Sequence, residues 1–116
     1  MRKSIHPRKP SSVRVGHRDM SVAFVSRDAM PDADGDFTID AQAIRVGDWL
    51  APQTQAEVLI HELLHACWPY RWNACQRPDD IEEDLVTLLA PQLAGVLRDN
   101  PSLVLWLTQS LEGDNA

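Results

Sequence analysis

The sequence predicts an α+β domain: a small, mainly antiparallel sheet from the N-terminal half, packed on three helices from the C-terminal half. Three observations carry that expectation. Short β-rich runs occupy Val13-Arg14-Val15, residues 21–25, Phe37-Thr38-Ile39 and Ala43-Ile44-Arg45-Val46. Apolar residues at helical spacing then fill the region from Ala56 onward. Prolines and glycines fall between the runs, Gly16 and Gly47 among the strands and Pro52, Pro69 and Pro101 among the helices. With 116 residues the chain has enough material for one cored domain and little for a second.

Residues 1–12 read as a disordered basic tail and residues 13–116 as the single domain. Arg2, Lys3, Arg8 and Lys9 stand in the first ten residues with no acid among them, and Pro7 and Pro10 discourage regular structure there. The net charge is −6, so without those four cations the remainder carries −10, which argues against a nucleic-acid partner for the body. No apolar run approaches the length of a membrane span, and the N-terminus lacks the apolar stretch of a secretory signal. The expected setting is therefore the cytoplasm, with no membrane partner. In that reducing compartment Cys67 and Cys75 read as buried or half-buried thiols and not as a disulfide.

Taken in order, residues 13–15 and 21–25 form a hairpin whose turn spans residues 16–20, with His17 a solvent-facing turn residue. Residues 27–36 read as a solvated loop. Its Asp32-x-Asp34-x-Asp36 spacing is that of a calcium loop, but the required glycine and terminal glutamate are missing. Two short strands follow around Asp40-Ala41-Gln42. A helix starts at Pro52 or Thr54 and runs to about Trp68, where Pro69 stops it. A second helix spans about residues 80–98. Asp79, Asp80, Glu82, Glu83 and Asp84 crowd its N-terminus, where they complement the helix dipole. Its apolar stripe includes Leu85, Leu89, Val96 and Leu97, and Pro91 predicts a kink or break near Ala90. Asp99-Asn100-Pro101 is a stop-and-restart signal, with Asn100 or Ser102 as cap, before a closing helix whose Leu103, Trp106 and Leu107 belong to the core.

The chemistry concentrates in His61-Glu62-Leu63-Leu64-His65. Histidines four apart on a helix share a face, so both imidazoles can reach one ion. Glu62, beside the first, can hold the attacking water and take its proton. This is the H-E-x-x-H arrangement of zinc-dependent hydrolases. Ala56, Val58, Leu59, Ile60, Leu63, Leu64 and Ala66 predict a largely buried helix, in which two histidines and a carboxylate need partners that a metal supplies. A catalytic zinc takes three protein ligands and keeps one open position. The natural third ligand is a carboxylate of the second helix, Glu82 or Glu83, and periodicity does not choose between them. Cys67 lies on a different helical face from His65, whereas Cys75 could reach the ion.

The ordered series runs from Ile44-Arg45-Val46 through residues 58–66, which hold the two histidines, to Glu83-Asp84-Leu85-Val86, Leu89-Ala90 and Leu97-Arg98-Asp99-Asn100-Pro101. It resembles the short metallopeptidase-like proteins encoded by bacteriophages and prophages, similar in plan to the ImmA/IrrE-type peptidases of the glutamate-zincin class. The resemblance covers roughly residues 13–107. It implies a zincin-like core in which His61, His65 and Glu83 bind zinc, Glu83 being preferred to Glu82 on this ground alone, and in which Glu62 is the general base. It further implies a metallopeptidase that cleaves a peptide bond with a water activated by the metal, a reaction class without a target. The first reading of the function is a small cytosolic zinc endopeptidase acting on one protein of host or phage. The strand beside the active helix, residues 43–46, would offer its edge to the extended substrate. Tyr70, Arg71 and His17 are the candidates for a donor to the oxyanion, and the sequence does not select among them. The loop from Cys67 to Cys75 and Pro91 depart from the family pattern. The alternative is a catalytically inactive, zinc-stabilised binding or structural protein of phage origin, its fourth metal position closed by Cys75 or another side chain.

Overall fold

In a computed structural model of the chain, residues 8–67 and 78–113 are described, with residues 78–84 and 86 described by their backbone alone. Among the described residues the element order is four strands, then three helices, giving an α+β fold. The first strand, β1 (Ser12–Val15), buries Val13 and Val15 and exposes Ser12 and Arg14. It begins inside the segment expected to be a loose tail, and the Lys9 ammonium lies 4.6 Å from the centre of the Phe24 ring. The turn to β2 (Arg18–Val25) is tighter than the sequence suggested, with Val15 directly opposite Arg18. Gly16 takes φ 63° there, a conformation that two-residue hairpin turns demand and that glycine adopts without cost.

The chain then skips one place in the sheet. Strand β3 (Gly35–Thr38) runs at the outer edge and β4 (Ala43–Gly47) returns into the gap, so the spatial order is β1-β2-β4-β3. Two of the three pairings are antiparallel, and β2 with β4 is parallel. Two expectations are corrected here. Gly35 and Asp36, read as solvated loop, belong to β3, because Asp36 pairs across the strands with Arg45. Residues 43–46 are not a free edge: β4 is paired on both sides, and the outer strand is β3.

One face of the sheet carries the core. Val13, Met20, Ile44 and Val46 are almost completely buried against the helices. Helix α1 (Pro52–Cys67) lays Ala56, Leu59, Leu63 and Ala66 on β3 and β4. The Gln55 side chain ties the helix start to the preceding turn, donating to the carbonyls of Leu50 (2.9 Å) and Asp48 (3.3 Å). Fully burying a valine, leucine, isoleucine or methionine side chain contributes about 1.5–3 kcal/mol, so Val13, Met20, Ile44, Val46 and Leu59 make this layer a large contributor to stability.

Helix α2 (Pro78–Asp99) continues through Pro91 without the expected break. Proline removes one backbone donor, but Thr87, whose carbonyl loses its partner, is exposed, so water can satisfy that oxygen. Val96 is its fully buried anchor. Helix α3 (Pro101–Leu111) buries Leu103, Trp106 and Leu107, and Trp106 meets Phe24 edge-on with ring centres 5.5 Å apart. Asn100 occupies the N-cap position, yet its side chain does not cap. Instead the amide oxygen accepts from the Arg14 N–H (2.9 Å), and the amide nitrogen donates to the carbonyls of Arg14 (2.9 Å) and Val96 (2.7 Å). Among the described residues no helix is long and apolar enough to cross a membrane.

Candidate metal centre

Helix α1 crosses the outer end of the sheet with one face down and one face out. Leu59, Glu62, Leu63 and Ala66 point down and are buried, while His61, Leu64 and His65 are exposed. The expectation of a largely buried helix holds for the face that carries Ala56, Leu59, Leu63 and Ala66, and not for the face that carries Leu64 and the two histidines. Helix α1 packs on the sheet through β3 and β4 and also on α3 and α2, yet among the described residues the face that carries the histidines stays at the surface, and the glutamate between them is the buried member, 7% exposed.

One helical turn brings His61 Nε2 and His65 Nε2 to 3.3 Å, with the rings 4.9 Å apart at 71°. Two nitrogens that close are either a donor and an acceptor sharing one proton or two lone pairs converging on a common centre. Bonds of about 2.0–2.1 Å to a tetrahedral zinc place two ligand nitrogens about 3.3–3.4 Å apart. The pair therefore fits two corners of such a site. Among the described residues no third histidine, cysteine or carboxylate joins them in a group able to hold a metal. Glu82 and Glu83 lie within the span of α2, but their side chains fall outside the described residues, as do Tyr70, Arg71 and Cys75 altogether.

Beside His61 and Glu62 opens a shallow cleft of about 380 Å³, lined by Asp34, Gly35, Glu57, Val58, His61 and Glu62. Strand β3 forms its floor and α1 its wall. Gly35 is what lets them approach: a β-carbon there would collide with Val58 Cγ1 and lie 2.9 Å from the Arg45 carbonyl oxygen and 3.5 Å from Glu62 Cγ. Burial pushes the Glu62 carboxyl above its usual range; His61 and His65 pull it down, and Asp36 adds a smaller upward push. Asp36 itself is held below the usual range, chiefly by its hydrogen bonds from Arg45, one of which is Nε to Oδ1 at 2.9 Å. The result is a buried carboxyl of raised proton affinity next to two imidazoles.

Cys67 is buried and its thiol is pushed up by that burial, which suits a packed, unreactive side chain. His17 is exposed on the β1–β2 turn and lines a separate depression with Asp19, Ile39 and Asp40, so it is not brought to the histidine pair. Asp34, Gly35, Asp36 and Glu57 escaped the sequence reading. For Glu57 a signal existed, since it precedes His61 by one helical turn. For the others, Asp-x-Asp around a glycine reads as a turn until the pairing of Asp36 with Arg45 is known. Compared with known protein families, characterised proteins and solved structures, the chain has no match.

Proposed function

We propose that the chain is a zinc-dependent metallopeptidase of the glutamate-zincin type, of bacteriophage or prophage origin and at work in the cytoplasm, the host's where a phage encodes it. The observation that carries the reading is the 3.3 Å approach of His61 Nε2 to His65 Nε2, the spacing of two ligands on one tetrahedral metal, with the buried Glu62 between them. His61 and His65 would hold the ion, with Glu83 as third ligand and Glu82 as its alternative. When bound, zinc supplies Lewis acidity to the water and to the scissile carbonyl.

The chain's own residues account for the rest. Glu62 takes the water's proton on its carboxylate and returns it to the leaving amine, a role that its raised proton affinity favours. Gly35 keeps β3 close enough to α1 for the substrate backbone to lie within reach of Glu62. Among the described residues nothing pairs with the outer edge of β3, whose N–H and C=O groups can receive an extended peptide as a further strand. Holding the scissile bond on a fixed strand, at a fixed distance from the base, lowers the entropic cost of attack.

The test is hydrolysis of an unfolded, fluorescently quenched protein by the zinc-loaded chain. Turnover that a chelator abolishes, that added zinc restores, and that Glu62→Gln lacks supports the reading. Equal turnover in Glu62→Gln sinks the mechanism.

A further inference from the structure

We propose that the cleft beside the histidine pair selects an extended peptide through a lysine or arginine side chain received between Asp34 and Glu57. This rests on the peptidase reading and adds a substrate class to it. Among the described residues the lining of the cleft is one-sided in charge: Asp34, Glu57 and Glu62 are acids, and no lysine or arginine joins them. Among the described residues, Asp36 is neutralised by Arg45, whereas the carboxylates of Asp34 and Glu57 have neither an ion-pair nor a hydrogen-bond partner.

The two acids come from different elements and converge by construction. Asp34 immediately precedes β3, and its carbonyl accepts from the Gly47 N–H at 2.8 Å, which fixes the entry to the strand. Glu57 stands one helical turn before His61 on α1, so it lies along the same line as the ligand pair. A peptide added to the outer edge of β3 sends alternate side chains to the helix side of the sheet. One of them drops into the cleft, where a volume of about 380 Å³ admits a long side chain with some water. Only a cationic tip answers two unneutralised carboxylates there. The alkyl stem of lysine or arginine would meanwhile lie on Val58.

Such contacts are partly solvated, and each contributes little by itself. Two together give a preference of about three- to tenfold over a neutral residue.

The experiment is digestion of a library of randomised ten-residue peptides by the zinc-loaded full chain, with cleavage products read by mass spectrometry. The expected result is enrichment of lysine and arginine at one fixed position relative to the cut. That enrichment weakens with added salt, is lost in Glu57→Gln, and turns toward acidic residues in Glu57→Lys. Cleavage with no preference for a basic residue overturns this inference and leaves the peptidase reading standing. A basic preference that survives unchanged in Glu57→Gln and in Asp34→Asn also overturns it. Absence of any cleavage overturns both.

Discussion

Gly35 and Glu62 meet where the outer strand passes beneath the helix: a β-carbon on Gly35 would lie 3.5 Å from Glu62 Cγ. The same carbon would press on Val58 and on the Arg45 carbonyl, the latter at 2.9 Å. The glycine thus sets the distance between the cleft's floor and the Glu62 side chain. Gly35→Ala is expected to cost about 1–3 kcal/mol, the usual range for overpacking a filled site. Chemical denaturation measures it. Adding Val58→Ala should recover part of the loss and not all, because the Arg45 carbonyl belongs to the backbone. A Gly35→Ala protein as stable as the wild type would contradict the close approach.

Glu62 gives a prediction that separates stability from activity. Its carboxyl is raised, mainly by burial, so the folded state holds the proton more tightly than the unfolded state does. Its contribution is favourable below the ordinary glutamate range and is lost as pH rises through the raised value. At neutral pH the metal-free Glu62→Gln protein should therefore melt above the wild type, and the gap should close as the buffer is acidified through that range. Thermal melts at a series of pH values check this. A variant less stable than wild type at neutral pH would show that the ionised carboxylate has a favourable partner.

Asp36 carries the opposite sign. Arg45 holds its carboxyl low, so its stabilising contribution is present above the ordinary aspartate range and disappears as pH falls through the depressed value. Asp36→Asn should be less stable than wild type near neutrality. The difference should persist to mildly acidic pH and vanish only in strong acid. Both partners are partly exposed, so the effect is small, at most about 1 kcal/mol.

Asn100 closes the far edge of the sheet. By bonding both the N–H and the carbonyl of Arg14, its amide takes the place of a neighbouring strand at that residue, while also holding the end of α2 through Val96. Asn100→Ala should cost about 1–3 kcal/mol. It should also raise the hydrogen-exchange rate at the Arg14 amide more than at the amides of β4. Unchanged exchange at Arg14 would deny the clasp.

Local patterns in the sequence made most of the elements legible. Val13 and Val15 alternate with polar residues and lie inward, and Ala56, Leu59, Leu63 and Ala66 repeat at helical spacing and face the sheet. Gly47 ends a strand, and Pro52 and Pro101 begin helices. What escaped was non-local. The parallel pairing of β2 with β4 leaves no mark on either strand's own residues, so residues 43–46 read as an edge when they are interior. The strand character of Asp36 depends on Arg45, nine positions away. The exposure of His61 and His65 depends on how many layers cover α1, which apolar spacing along the helix does not state. Pro91 misled because the penalty of a proline in a helix falls when the orphaned carbonyl can reach water.

The central claim is that His61 and His65 are paired for a metal, and elemental analysis of the purified protein beside the His65→Ala variant tests it most directly. The account predicts about one zinc per wild-type chain, lost in His65→Ala and retained in Glu62→Gln. Carefully handled wild-type protein without metal, and unable to take up zinc on titration, would contradict it and leave the two histidines as a surface pair sharing a proton.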